Sequence, residues 1–245
     1  ITGLAPSAVR AALMLSLYLT GRALRRVTDG YNTLAAAAFC MLAYNPYYLF
    51  DVGFQLSFSA VAAIVLVQPK LYAFWKVDNR FLRYLWGLMT VSMAAQLGTA
   101  PLVIFYFSRF STHFLLTNLW VIPMVSLVLY SAVFLLMLTP LPFVQHLFAR
   151  VVEALVHVQN EVLRWIEHLP GAAVDDIWLD IWGVLLVYLF LGMAYYGFLR
   201  LTVRRVCFAL LALLAVVSWH SLSIMSNAPR QGIAFYSVRG CPVVH

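Results

Sequence analysis

The sequence predicts an all-α fold, a polytopic bundle of transmembrane helices that includes one long amphipathic helix. Of the 245 residues, 64% are hydrophobic and only 10% are charged, and the mean hydropathy is +0.89. A soluble domain carries charge on about a quarter of its residues, so most of this chain must face lipid. Long apolar stretches separated by charged or Pro/Gly-containing breaks support the same conclusion.

Seven apolar stretches are candidates for crossing a bilayer, which takes about 20 residues. They lie near residues 8–24, 31–44, 52–67, 84–107, 114–138, 178–199 and 206–224. The second and third are short for a span. The segment NPYYLFD between them, residues 45–51, predicts a helical hairpin with an aromatic turn at the membrane interface.

The domain organisation follows from where the apolar stretches end. Residues 1–225 are predicted to form a transmembrane domain. Residues 226–245 are predicted to begin an extramembrane segment, because the stretch GIAFYSV at residues 232–238 is typical of a strand. The chain opens with Ile1 rather than Met, so we expect an excerpt of a longer protein.

Residues 144–169 predict a helix with a polar face and an apolar face. At 100° per residue, nine polar side chains fall in a stripe about 120° wide. They are His146, Arg150, Glu153, His157, Asn160, Glu161, Arg164, Glu167 and His168. Two interpretations stay open: a helix lying flat among headgroups, or one that crosses with its polar face toward water. Its length of about 39 Å would suffice to span.

Basic clusters bear on this choice, because short loops rich in Lys and Arg stay cytoplasmic. The clusters are Arg22, Arg25 and Arg26; Lys70, Lys76, Arg80 and Arg83; and Arg200, Arg204 and Arg205. All three lie on one side if the amphipathic helix crosses. They also do so if QLGTAP, residues 96–101, breaks the fourth span into a re-entrant hairpin.

Several polar residues stand in or near the predicted spans. Arg10 lies one turn into the first helix, where its charge is costly unless it snorkels or finds a partner. Asp51 is predicted to cap the third helix. Gln55 shares its face, and together with Ser57 it carries polarity into the span. The amides expected to bond between helices are Asn45, Gln96 and Asn118.

We expect neither enzymatic activity nor a metal or other cofactor within this excerpt. The sequence lacks a nucleophile with its base, an HExxH motif or a phosphate-binding glycine loop. His146, His157 and His168 share a helix face, but their eleven-residue spacing separates them by about 16 Å each. No two of them can therefore bind one metal ion.

Two stretches carry a family resemblance: GLAPSAVRAALM at residues 3–14 and NPYYLFDVGFQLSFSAVAAI at residues 45–64. The second resembles the signature of the competence domain in ComEC-type DNA-translocation proteins, with Ala63 where glycine is usual. QLGTAPLVIFY at residues 96–106, Asn118 and Pro123 are similar to that domain's later helices. The motif residues are Pro6, Ser7, Asn45, Pro46, Asp51, Gly53, Phe54, Gln55, Ser57, Gln96, Pro101 and Asn118.

The resemblance implies a multi-pass protein of the bacterial inner (plasma) membrane that passes single-stranded DNA inward during natural transformation. It implies single-stranded DNA, the lipid bilayer, other competence proteins and a second copy of the chain as partners. It implies that residues 1–225 are the C-terminal portion of a competence-type transmembrane domain. Any nuclease-like domain would lie outside this excerpt. Since phosphates need cationic contacts, the candidates along the DNA path are Arg10, Arg150, Arg164 and His157. The alternative is another polytopic transporter, or a membrane scaffold whose amphipathic helix lies flat and binds lipid.

Overall fold

The structure is a computed structural model that forms two compact units, Ile1–Asp180 and Ile181–His245. It describes residues 6–23, 30–76, 78–137, 142–171, 173–175, 177–199, 235–238 and 241–244, and within 208–221 all but 209, 215 and 220. The described residues are almost entirely helical, which confirms the predicted all-α fold. Arg25, Arg26, Arg200, Arg204 and Arg205 lie outside them, as does part of the predicted span at residues 206–224.

The described residues of the first unit form six α-helices, a 3-10 helix and a short two-stranded ribbon. In chain order these are α1 (Pro6–Ala23), α2 (Gly30–Tyr44), the 3-10 helix (Pro46–Phe50), α3 (Val52–Phe74), α4 (Arg80–Phe107), β1 (Arg109–Ser111), α5 (Phe114–Met137), α6 (Pro142–Glu167) and β2 (Ala173–Asp175). The predicted helical hairpin is present as α2, the 3-10 helix and α3. The amphipathic helix predicted at residues 144–169 is α6.

The second unit begins with the apolar helix α7 (Ile181–Leu199) and contains a further apolar helix, Leu210–Trp219. It ends in an antiparallel hairpin of β3 (Phe235–Val238) and β4 (Cys241–Val244). A strand is therefore present within the stretch GIAFYSV. The domain boundary expected at residue 225 stays a prediction.

Within the part of the chain that the structure describes, three helices are both long enough and apolar enough to cross a membrane: α3, α4 and α5. The prediction that the third apolar stretch is short was wrong, because α3 has 23 residues and continues through Pro69 to Phe74. A proline removes one helical hydrogen bond and can be tolerated inside a membrane helix. Length and composition therefore qualify α3 as a span.

The option of a re-entrant break at residues 96–101 was also wrong. Helix α4 is continuous over 28 residues with Pro101 inside it, and α5 likewise contains Pro123. Pro101 is fully buried. Since the same face of α4 packs against α3, the tertiary contact keeps the helix intact where the local sequence would favour a bend.

The densest packing in the first unit is between α3 and α4. A face of small residues on α4, Thr90, Ala94, Gly98 and Pro101, is buried. An ideal Cβ added at Gly98 would lie 2.5 Å from the Ala63 Cβ and 2.5 Å from the Ser59 carbonyl oxygen. Such close backbone approach is typical of small-residue packing between membrane helices. Gly98 thus leaves room for the methyl group of Ala63.

Replacing Gly98 with alanine should therefore separate α3 from α4. We expect Gly98→Ala to lower the free energy of unfolding by about 1–3 kcal/mol, because the backbone carbonyl of Ser59 cannot move aside alone. The measurement is reversible unfolding in mixed micelles. Gly87→Ala in the same helix is the matched control, since a Cβ there meets only Tyr72 at an ordinary 3.7 Å. Equal stabilities of the two variants would contradict this packing.

Candidate functional site

The N-terminal end of α3 holds an ion pair between a buried arginine and a partly exposed aspartate. Nη1 of Arg10 in α1 lies 3.3 Å from Oδ2 of Asp51, with side-chain exposures of 8% and 42%. The same Oδ2 accepts a hydrogen bond from the backbone N–H of Phe54 at 2.9 Å. The predicted cap is confirmed, and Arg10 has found a partner instead of snorkelling. Asp51 therefore both starts α3 and neutralises a charge from α1.

Gly53 provides the space that this ion pair needs. An ideal Cβ at position 53 would lie 3.1 Å from Nη2 of Arg10 and 3.3 Å from Oδ2 of Asp51. Any side chain there would crowd the guanidinium group. Next to it, Phe54 is buried and its ring stacks on Phe58 with centroids 4.2 Å apart. Residues Asp51 to Phe54 thus connect α1 to α3. We call this contact, formed by Arg10 with Asp51, Gly53 and Phe54, the joint.

Gln55 extends the joint to α4. Its Nε2 donates to the carbonyl of Leu49 in the 3-10 helix at 2.9 Å, and its Oε1 accepts from the Tyr106 hydroxyl at 2.8 Å. Tyr106 lies one residue before the end of α4. The polarity that Gln55 carries into α3 is thus used in contacts with the 3-10 helix and with α4.

Asn45 and Pro46 shape the turn that precedes Asp51. The Asn45 side chain accepts from the backbone N–H of Tyr47 at 3.0 Å and caps the 3-10 helix, in which Pro46 is the first residue. Proline suits this position because its missing N–H would have no helical partner. Asn45 therefore acts within its own turn and not between helices.

The other motif residues are not part of this joint. Pro6 begins α1 and Ser7 is exposed beside it. Ser57, Gln96 and Asn118 are partly buried within α3, α4 and α5. Pro101 belongs to the α3–α4 contact described above.

A short β-ribbon lies at the same end of the unit as the joint. It pairs β1, directly after α4, with β2, which follows α6, in the register Arg109 with Asp175 through Ser111 with Ala173. The Thr112 hydroxyl donates to the Gly171 carbonyl, and the backbone N–H of Ile177 donates to the Ser108 carbonyl at 3.3 Å. This ribbon could not be predicted from the sequence, because three-residue strands have no detectable periodicity.

Helix α6 runs antiparallel to α5 over its whole length. Near the end of α5, the Phe134 ring meets Phe148 in the second turn of α6 edge to face, with centroids 5.1 Å apart. The ribbon brings the far end of α6 back to the start of α5. The chain therefore leaves along α5 and returns along α6 to the end where it began.

The apolar side of α6 divides into two parts. Ile166 is buried, and Val152, Leu155 and Val162 are partly buried. A flank next to them is exposed: Val151, Ala154, Val158 and Trp165. The sequence predicted one apolar face, because periodicity separates polar from apolar side chains but does not tell a packed face from a lipid-facing one.

The polar stripe of α6 is exposed along its whole length and carries both signs of charge. Arg164 Nη1 pairs with Glu161 Oε1 at 3.0 Å. Arg150 and His157 are exposed, and Arg150 forms no ion pair with any residue that the structure describes. Of the predicted DNA-path residues, Arg150, Arg164 and His157 therefore lie together on α6, whereas Arg10 is buried in the joint with Asp51.

The apolar exteriors of α3, α4 and α5 and the buried joint at one end define an all-α helical membrane bundle. Membrane helices need apolar side chains outward and paired charges inward. The chain belongs to the Competence protein family, which matches residues 1–202. Membership of this family supports a role in competence.

A relative matches half of the chain. ComE operon protein 3 of Bacillus subtilis (strain 168) is 34% identical over 123 residues, which are 50% of this chain and 15% of that protein. The chain thus aligns with a minor part of this relative. Comparison with solved structures gives no match.

The ion pair can be separated from the cap by substitution. Asp51→Asn keeps a good capping residue but leaves the buried Arg10 without a counter-charge, so we expect a loss of about 3 kcal/mol in unfolding free energy. Arg10→Gln should cost less, because Asp51 is partly exposed and retains its cap. In a double-mutant cycle, the double variant should recover part of the Asp51→Asn loss. Additive losses would mean that the pair contributes nothing.

Proposed function

We propose that this chain forms part of a channel that moves single-stranded DNA across the bacterial inner membrane during natural transformation. In this proposal α6 crosses the bilayer and lines the path with its polar stripe. The observation that supports it is the pairing of β1 with β2, which fixes where α6 must end.

Helix α5 is the first element that supports this path. It has 24 residues, is strongly apolar overall and has no buried residue, so it qualifies as a span of about 36 Å. If α5 crosses, the chain at Met137 is on the far side of the membrane. Yet Ala173 pairs with Ser111, which lies before α5 on the near side.

Helix α6 is the segment between Met137 and Ala173 that is long enough to bring the chain back across the membrane. Its 26 residues extend about 39 Å, which covers the bilayer core. A helix lying flat on the far surface would leave β2 a full membrane thickness from β1. The ribbon therefore favours a crossing helix over an interfacial one.

A crossing α6 cannot expose its polar stripe to hydrocarbon. Each charged side chain near the middle of a membrane helix costs about 2.5–3.5 kcal/mol even on insertion scales. Arg150, Glu153, Glu161 and Arg164 together would cost about 10 kcal/mol, as much as the whole stability of a typical protein. The stripe must therefore face water or polar groups of another segment.

The charge composition of the polar stripe suits a DNA strand that moves past it better than one that binds tightly to it. It carries two arginines and three glutamates, so it offers a hydrated wall of mixed sign and not a strongly cationic groove. Arg150 is its cation without a carboxylate partner among the described residues, and His157 lies two turns further along the same face. Contacts of this kind would hold a phosphate backbone weakly and without regard to base sequence.

The proposed orientation places basic residues inside. With α6 crossing, the connection between α3 and α4 lies in the cytoplasm, together with Lys76 and with Arg80 and Arg83 in the first turn of α4. The joint of Arg10 and Asp51 and the β-ribbon then lie on the outer side. In this arrangement Arg10 holds the entrance geometry instead of contacting phosphate.

We propose further that this part of the protein is not catalytic and that it works with other competence proteins, as the family suggests. A multi-pass location in the inner membrane follows from the same proposal.

Cysteine labelling tests whether α6 crosses. In a chain whose Cys40, Cys207 and Cys241 are replaced by serine, we introduce His146→Cys, His157→Cys or His168→Cys and add a charged thiol reagent outside the cell. Labelling should fall from position 168 to 157 to 146, because water reaches the stripe from the outer end. Val158→Cys, on the exposed apolar flank, is the control and should label poorly. Equal labelling of all three histidine positions would mean a flat helix.

Transformation frequency tests the phosphate contact. Arg150→Gln should lower the frequency about tenfold, because a charge-assisted contact to the backbone is lost. Arg164→Gln should have less effect, since Glu161 already offsets its charge, and the double variant should be the weakest. Arg80→Gln removes the same charge in the cytoplasmic loop and serves as the control.

Membrane levels of each variant are compared by immunoblot. Unchanged DNA uptake in the double variant at normal protein level would contradict a DNA path along α6.

A further inference from the structure

A cleft lies where α3 ends and α4 begins, at the opposite end of the bundle from the ion-pair joint. Its volume is about 290 Å³, and it is lined by Tyr72, Ala73, Trp75, Lys76, Arg83 and Trp86. None of these residues belongs to the motif residues or to the proposed DNA path.

The aromatic wall of the cleft is tied together by direct contacts. The indole N–H of Trp86 in α4 donates to the Tyr72 carbonyl in α3 at 3.3 Å. The rings of Trp75 and Trp86 meet edge to face, with centroids 5.5 Å apart. These contacts join the end of one helix to the start of the next, so the cleft has a defined shape.

Two cations line the same cleft. Lys76 and Arg83 are both exposed, and neither pairs with a carboxylate among the residues that the structure describes. Two uncompensated positive charges on one ordered wall favour an anion. Arg83 presents a planar set of donors that matches phosphate oxygens, and Lys76 adds a second point charge.

The position of the cleft favours a lipid phosphate over a soluble one. Both α3 and α4 qualify as membrane spans, so their connection lies at the level of the headgroups. Large aromatic side chains around it, Phe74, Phe81 and Tyr84, are exposed, as expected for the aromatic belt at a membrane interface. Basic residues in this position attract anionic lipids of the cytoplasmic leaflet.

We propose that the cleft binds the phosphate headgroup of an anionic phospholipid between Lys76 and Arg83, with its acyl chains against the exposed aromatic side chains. The bound lipid fastens the cytoplasmic end of the α3–α4 pair to the membrane surface. The lipid site itself does not depend on the proposed DNA path along α6, and only its assignment to the cytoplasmic side rests on the orientation proposed above.

The test compares lipid retention by matched variants. The chain is reconstituted into nanodiscs of equal phosphatidylcholine and phosphatidylglycerol, and the lipids that stay bound after release are measured by native mass spectrometry. High salt suppresses diffuse attraction to the surface. Lys76→Gln with Arg83→Gln should lower the retained ratio of phosphatidylglycerol to phosphatidylcholine about tenfold. The control, Lys70→Gln with Arg80→Gln, removes the same charge outside the cleft and should change it less than about twofold.

Further arms separate the competing explanations. The swapped variant, Lys76→Arg with Arg83→Lys, keeps both charges and should retain the lipid, which also controls for a folding defect. Added inorganic phosphate should not displace the lipid, and displacement would assign the site to a soluble anion. Equal losses in the cleft and control variants would overturn the proposal. The proposal would also be overturned if the cleft variant retained the lipid unchanged but no longer bound a single-stranded oligonucleotide, because the cleft would then bind nucleic acid and not lipid.

Discussion

The pairing of β1 with β2 is the constraint on which the arrangement of the first unit depends. Six residues pair across about 64 positions of sequence, and together with the adjoining Thr112–Gly171 and Ile177–Ser108 hydrogen bonds they fix the end at which α6 finishes. Without it, an amphipathic helix after an apolar one could run in any direction along the membrane surface. With it, α5 and α6 form a hairpin whose polar side extends from one end of the bundle to the other. The proposed water path is a consequence of this small ribbon.

The motif residues from Asn45 to Gln55 have structural roles: they form a turn, cap a helix and hold helices together. Asn45 and Pro46 shape a turn, Asp51 caps α3 and neutralises Arg10, and Gly53 leaves room for the guanidinium group. These residues join α1, α3 and α4 at one end, so each of them limits the position of the others. Burying the Arg10 charge alone would be costly. The Asp51 carboxylate, which is already needed to cap α3, offsets that cost.

Those features of the structure that depend on residues close together in the sequence could be predicted from the sequence alone. Composition predicted membrane helices, the polar periodicity predicted α6 to within two residues at each end, and Asp51 was recognised as a cap. It could not pair Arg10 with Asp51, because the partners are 41 residues apart and either could have been satisfied by solvent. It also underestimated α3 and allowed a break in α4. In both helices a proline favours a helix end locally, but the packing of α3 against α4 keeps the helix continuous through it.

The prolines inside α3, α4 and α5 have a consequence for how each helix is turned about its own axis. Pro69, Pro101 and Pro123 cannot donate to the carbonyls of Val65, Leu97 and Leu119, four positions earlier. Acyl chains offer no donor to such an oxygen. A rotation of the helix about its axis that turns this oxygen toward a neighbouring segment, a hydroxyl side chain or a water molecule is therefore favoured over one that turns it toward lipid.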